Sequence, residues 1–202
     1  MKNLTEVVKT LLIINVIMFF GTNMLSTEMK YSLMLYFPAS QFFQPFQLVT
    51  HMFMHGSMGH LFFNMFALYM FGPPLEALWG PKKFLFYYLF TGFGALALHL
   101  GVTYIELQSG SIPASAINIP MLGASGAVFG LLAGFGMKYP NTVLQLLLPP
   151  IPIKAKYFVL IYAGLELFLG LSGVQPGVAH FAHLGGALFG FLIIRYWIKT
   201  GK

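Results

Sequence analysis

Three short stretches carry side chains able to do chemistry together. Gly123-Ala124-Ser125-Gly126 sets a serine between glycines, at the head of an apolar run that continues through Val128-Phe129-Gly130. His60-Leu61-Phe62-Phe63-Asn64 spaces an imidazole and an amide four residues apart, and Ala182-His183-Leu184-Gly185-Gly186 adds a second imidazole. A serine hydroxyl is a poor nucleophile until a base takes its proton as it attacks. His183 is the candidate base for Ser125. The oxyanion that results needs hydrogen-bond donors, and His60 and Asn64, i and i+4 on one helix face, are candidates. Free N–H groups in the first turn of a helix beginning near Ser125 would add donors and a favourable dipole. Alone, Gly-x-Ser-Gly reads more readily as a packing motif, because small residues let helix backbones approach. The three stretches together point to acyl transfer.

The elements that must position them are membrane helices. Of 202 residues, 57% are hydrophobic and 8% charged, against about 25% charged in soluble domains. Residues 10–27, 31–75, 84–105, 107–137 and 167–194 contain no Asp, Glu, Lys or Arg, and a span needs about 20 apolar residues. The expected fold class is an all-α membrane protein, a single domain over residues 1–202. Six spans are predicted, at about 7–24, 58–78, 84–104, 123–137, 157–171 and 178–198. Residues 25–57, rich in aromatics and broken by Pro38 and Pro45, read as a large outer loop with short helices, lying partly in the outer leaflet. Gly72-Pro73-Pro74 is expected to kink or shorten the second span. Residues 144–153 read as an apolar interfacial segment, and residues 172–177 as a tight loop.

With both termini in the cytoplasm, ten of the eleven Lys and Arg fall inside, leaving Lys30 alone outside, a strong positive-inside pattern. The net charge of +6 is therefore read as topology, and no nucleic-acid partner is expected. In this arrangement spans two, four and six all run from outside to inside. His60, Ser125 and His183 then lie at similar depth below the outer face, where polar groups are expensive and mark function or mutual pairing.

Glycines sharpen the pairing. Gly126, Gly130 and Gly134 recur every four residues on the fourth span, and Gly186 and Gly190 share a face with His183 on the sixth. Close packing of the two stripes would bring serine and imidazole within hydrogen-bond reach. His180, three residues before His183, is the rival base. His51 and His55, i and i+4, could with His60 suggest zinc, but no Cys, Asp or nearby Glu completes that set, so structural hydrogen bonding is expected and no metal or cofactor. His99 has no identifiable partner, and Glu166, inside the fifth span, has no assigned role.

At these residues the chain resembles the rhomboid family of intramembrane serine proteases. The matching pieces are His51 and His55 before the second span, His60-x-x-x-Asn64 opening it, Gly123-x-Ser125-Gly126 opening the fourth, and Ala182-His183-x-x-Gly186-x-x-x-Gly190 in the sixth. The resemblance implies Ser125 as nucleophile, His183 as base, His60 and Asn64 as oxyanion donors, and no carboxylate third member. It implies a six-helix bundle with a water-accessible cavity open to the outside, and substrates that are single-pass membrane proteins cut in or near their membrane helix. Two departures stand out. Many members carry Trp-Arg in the first outer loop, where this chain has Phe46-Gln47. Several bacterial members have Tyr four residues after the serine, where this chain has Phe129, able to stack on His183 but lacking the hydroxyl.

Other classes fit less well. Aspartyl intramembrane proteases need two aspartates, and there are none; zinc types need His-Glu-x-x-His, which is missing too. Client-binding rhomboid relatives have typically lost the serine or the histidine, and both are here. A transporter would show corresponding repeats. The partners expected are membrane lipid and single-pass membrane substrates, which are expected to unwind near the cut and to pass the fifth span, whose Tyr157, Phe158, Tyr162 and Phe168 would fill the seam. Oligomeric state is not legible. The lack of a targeting extension points to a prokaryotic plasma membrane.

Overall fold

The structure, a computed structural model, describes residues 4–146, 150–173 and 178–201. Eight α-helices are found among them: α1 Glu6–Asn23, α2 Thr27–Ser32, α3 Gln47–Thr50, α4 Met58–Trp79, α5 Pro81–Ser109, α6 Ser125–Lys138, α7 Ala155–Ser172 and α8 His180–Thr200. Short 3-10 turns sit at His51–Phe53 and Ala114–Asn118. The chain is a multi-pass, all-α membrane protein: α1, α4, α5, α7 and α8 are each long and apolar enough to cross a bilayer. The expected fourth span differs. α6 has 14 residues, about 21 Å at 1.5 Å per residue, less than the ~30 Å hydrocarbon core. Eleven of its residues, Gly126 to Gly136 without a break, are buried. α4, α5, α7 and α8 all pack around it, so α6 is an internal post rather than a lipid-facing rod.

Two boundaries differ from expectation. α4 runs through Pro73 and Pro74 to Trp79 and stops only at Gly80, whose φ is 78°. The Tyr139 hydroxyl donates to the Pro74 carbonyl at 3.2 Å, one neighbour's contribution to backbone near the prolines, where intrahelical bonds are lost. α5 extends to 29 residues, beyond 84–104 at both ends. Lys82, Lys83 and Glu106, read as boundary charges, sit in its terminal turns, and Gly110 with φ 73° ends it.

The expected interfacial segment contains an antiparallel pair, β1 Val143–Gln145 with β2 Pro152–Lys154, registered Val143 to Lys154 and Gln145 to Pro152. Prolines 149, 150 and 152 disfavour helix there. Residues 147–149 of that segment and 174–177 of the expected tight loop lie outside the described residues.

The loop over residues 25–57 does contain short helices, α2 and α3, and it is tied down by Gln47, fully buried. The Gln47 amide nitrogen donates to the carbonyls of Ser32 at 3.0 Å and Phe42 at 2.9 Å, and Oε1 accepts the Tyr36 N–H at 3.3 Å. A glutamine thus anchors the loop at the Phe46-Gln47 departure. From this loop the backbone reaches the segment before Ser125. Leu35 and Met121 exchange N–H···O bonds of 2.9 and 2.7 Å, and the Gly123 N–H donates to the His51 carbonyl at 2.8 Å.

At the opposite end α1 starts against α4. Buried Glu76 accepts from the Thr5 hydroxyl at 2.5 Å and from the N–H groups of Val7 and Val8 at 2.9 Å each. It satisfies first-turn donors that α1 cannot pair itself. Trp79, Tyr87 and Trp197 cluster nearby, with the Lys83 ammonium 4.2 Å over the Trp197 ring.

Candidate active site

Ser125 is the first residue of α6, and His183 lies one turn into α8. The Ser125 hydroxyl lies 2.9 Å from His183 Nε2. Backbone contact explains the reach: a Cβ built on Gly186 would overlap the carbonyl oxygen of Gly126, and one on Gly190 would lie 3.1 Å from the Gly130 carbonyl. The two glycine stripes meet as their spacing predicts, and Gly134 packs under the Tyr87 ring. Phe129 stacks on the His183 ring with centroids 4.3 Å apart and planes 4° apart, holding the imidazole edge-on to the serine.

The other nitrogen of His183 meets a carboxylate, which the resemblance did not imply. Nδ1 lies 2.9 Å from Glu166 Oε2 on α7, and His180 Nδ1 lies 2.7 Å from the same oxygen. With Glu166 ionised, its oxygen can only accept; each Nδ1 then donates to it, and His183 Nε2 presents its lone pair to the Ser125 O–H. Of the two candidate bases, His183 faces the serine and His180 faces Glu166. Glu166, His180 and His183 each offer one ligand-capable atom, all within 4.8 Å of one another, a set able to hold a metal ion; here those atoms are engaged with one another. The zinc set weighed at His51, His55 and His60 is organised differently. His51 Nδ1 donates to the Gln47 carbonyl at 2.7 Å, and the His55 ring packs edge-on to His60 at 5.1 Å. Burial pulls both His51 and His55 down to about 4.

His60 stands across the serine. Gly123, with φ 124°, leaves space that a Cβ would take within 2.9 Å of His60 Nε2 and 3.6 Å of Ser125 Oγ. The Gly56 N–H points at His60 Nδ1 over a long 3.5 Å, which leaves the Nε2 proton directed toward Gly123. Asn64 donates one amide hydrogen to the His60 carbonyl at 2.9 Å and keeps its second. The first bond within α6 runs from the Val128 N–H to the Ala124 carbonyl, so the N–H groups of its first turn project from the helix end.

A cleft of about 2540 Å³ joins these groups, lined by His60, Asn64, Ser125, Phe129, Tyr162 and His183 among others. His99, without a partner in the sequence reading, lines it too. The cleft runs between α4 and α7. Of the four residues expected at the seam, Phe158 and Tyr162 line the cleft, while Tyr157 and Phe168 are 52% and 63% exposed, because positions 158, 162 and 169 share another face of the helix.

A family model for the Rhomboid domain matches residues 43–200. The chain belongs to the rhomboid family. It is 32% identical over 157 residues to Rhomboid protease AarA of Providencia stuartii, covering 75% of this chain and 56% of that protein. It is 32% identical over 161 residues to chloroplastic Rhomboid-like protein 11 of Arabidopsis thaliana, covering 77% and 52%. It is 30% identical over 154 residues to mitochondrial Rhomboid protein 1 of Saccharomyces cerevisiae, covering 76% and 42%. The chain thus spans about half the length of these rhomboid relatives. Their names place them in chloroplasts and mitochondria as well as in a bacterium, so the likeness supports a multi-pass membrane protein and not a prokaryotic plasma membrane in particular. Ser125, His60, Asn64 and His183 stand in motifs of the sequence, whereas Glu166 belongs to none; its one signal is a lone carboxylate between Lys156 and Arg195 in an otherwise uncharged stretch.

Proposed function

We propose that this rhomboid is an intramembrane serine endopeptidase that cuts single-pass membrane proteins in or near their membrane helix, using Ser125 and His183. The observation that carries it is the 2.9 Å contact between Ser125 Oγ and a His183 Nε2 free to accept a proton. In this reading Ser125 Oγ attacks the scissile carbonyl carbon while Nε2 takes the hydroxyl proton. The oxyanion forms beside His60, Asn64 and the first turn of α6. Nε2 then delivers its proton to the departing amide nitrogen as the C–N bond breaks. Water attacks the Ser125 ester, Nε2 takes its proton, and the serine is released.

The bundle is read as six crossings with both termini inside, α6 being the short one. Its serine end then lies below the outer surface, where water reaches it from outside. A peptide bond within a helix has its carbonyl paired, so substrates carry helix-weakening residues near the cut and unwind after passing between α4 and α7. The whole chain forms this one domain, and it acts without a cofactor.

The test is labelling of the detergent-solubilised protein with a fluorophosphonate probe. Labelling that disappears in Ser125→Ala and His183→Ala and persists in His180→Ala supports the reading and selects the base. Failure of the folded wild type both to label and to cut a transmembrane substrate overturns it.

A further inference from the structure

α7 buries almost nothing of itself: among its eighteen residues only Ala155 and Glu166 are buried, while Leu160, Ile161, Leu165 and Phe168 are exposed. The side chain it commits to the interior is thus its one carboxylate, in a helix where a buried polar group is costly unless it is used. That carboxylate lies on the two histidines of α8, with side chains 5% exposed at His180, 13% at His183 and 6% at Glu166. We propose that Glu166 is a positioning residue for the base, making Ser125–His183–Glu166 a triad whose acid is carried by α7. It holds His183 in the tautomer with Nε2 open to Ser125, and it stabilises the imidazolium formed when Nε2 takes the proton. His180 is the second donor that keeps the carboxylate in place. This rests on the Ser125–His183 reading above and adds the acid to it.

The test compares wild type, Glu166→Gln, Glu166→Asp and His180→Ala on a fluorogenic transmembrane peptide in detergent, with pH profiles. Among the described residues, the groups facing Glu166 are His180 and His183 of α8 and Tyr162 of its own helix, and His60 of α4 and His99 of α5 also face His183. Glu166→Gln is expected to lower kcat by roughly 10²-fold or more, with KM little changed. The acid limb of the kcat/KM profile should move to lower pH, since a neutral amide facing Nδ1 does not offset the charge that the ring gains on taking a proton. Glu166→Asp, which keeps the charge, should hold the limb near its wild-type position while slowing turnover. If Glu166→Gln does not fold, an Asp variant with its limb displaced overturns the proposal by itself. A limb displaced by His180→Ala as far as by Glu166→Gln would assign the titration to His180 and likewise overturn it. Wild-type kcat and limb in Glu166→Gln, with labelling abolished by Ser125→Ala and His183→Ala, would sink the triad and leave the dyad standing. Labelling unaffected by those two variants would instead sink the underlying reading.

Discussion

The ring of Phe129 lies flat on the ring of His183, 4.3 Å between centroids and 4° between planes. Tyr162 of α7 stacks on Phe129 at 5.0 Å, and Phe158 continues the column at 5.6 Å. The His183 ring therefore cannot tilt out of the plane in which Nε2 meets Ser125 without pushing through Phe129 of α6 into α7. Phe129→Leu should remove that restraint while keeping an apolar filler. Fluorophosphonate labelling is expected to slow roughly tenfold, with a stability loss of about 1 kcal/mol. Phe129→Tyr should label at close to the wild-type rate. Equal rates in Leu and wild type would show that the stack plays no part in aligning the base.

His51 and His55 give the fold a pH dependence of predictable sign. Burial lowers each from its ordinary 6.5 to about 4. Between those values the unfolded chain binds protons that the folded one does not, so stability is full above pH 6.5 and falls as pH drops toward 4. Each site contributes at most about 3 kcal/mol across that window. Thermal unfolding in detergent from pH 7.5 to 4.5 should show the decline, and His51→Asn should flatten it. A wild-type melting temperature constant over that range would contradict the burial seen here.

Glu76 receives three hydrogen bonds from the first residues of α1. Glu76→Gln turns one acceptor into a donor facing N–H and O–H groups, and should destabilise the protein by about 1–3 kcal/mol. The loss should concentrate at the N-terminus, read as faster proteolysis near residues 4–10, with labelling of Ser125 kept in the molecules that stay folded. Loss of labelling in those molecules would mean that the α1–α4 contact reaches the site.

Much of the site was legible because it obeys rules local to each segment. Charge-free windows placed the long helices. Glycines at spacing four marked the faces of α6 and α8 that meet, which made the Ser125–His183 contact readable at a sequence separation of 58. Glu166 was not readable in that way. α7 is apolar on nearly every side, so no periodicity states which face turns inward. Gln47 was hidden for a similar reason: its three bonds go to backbone groups 5 to 15 residues away, and backbone groups leave no mark in sequence. Boundaries misled at α5, where charges sat inside the terminal turns, and at Pro73-Pro74, where the helix continues past residues that ordinarily end one.

The contact of Gly126 with Gly186 has a mechanical consequence. The gap between Ser125 and His183 is gauged by two main chains lying against each other, with no side chain between them to take up slack. A methyl group at Gly186 must widen that gauge, and a hydrogen bond of 2.9 Å has only a few tenths of an ångström to give before it ceases to be one. The packed helices can absorb such a shift and still stand together; the proposed proton transfer cannot. This pair of glycines therefore marks a place where the protein can keep its shape and lose its chemistry, a fault visible to a reactive probe and invisible to a melting curve.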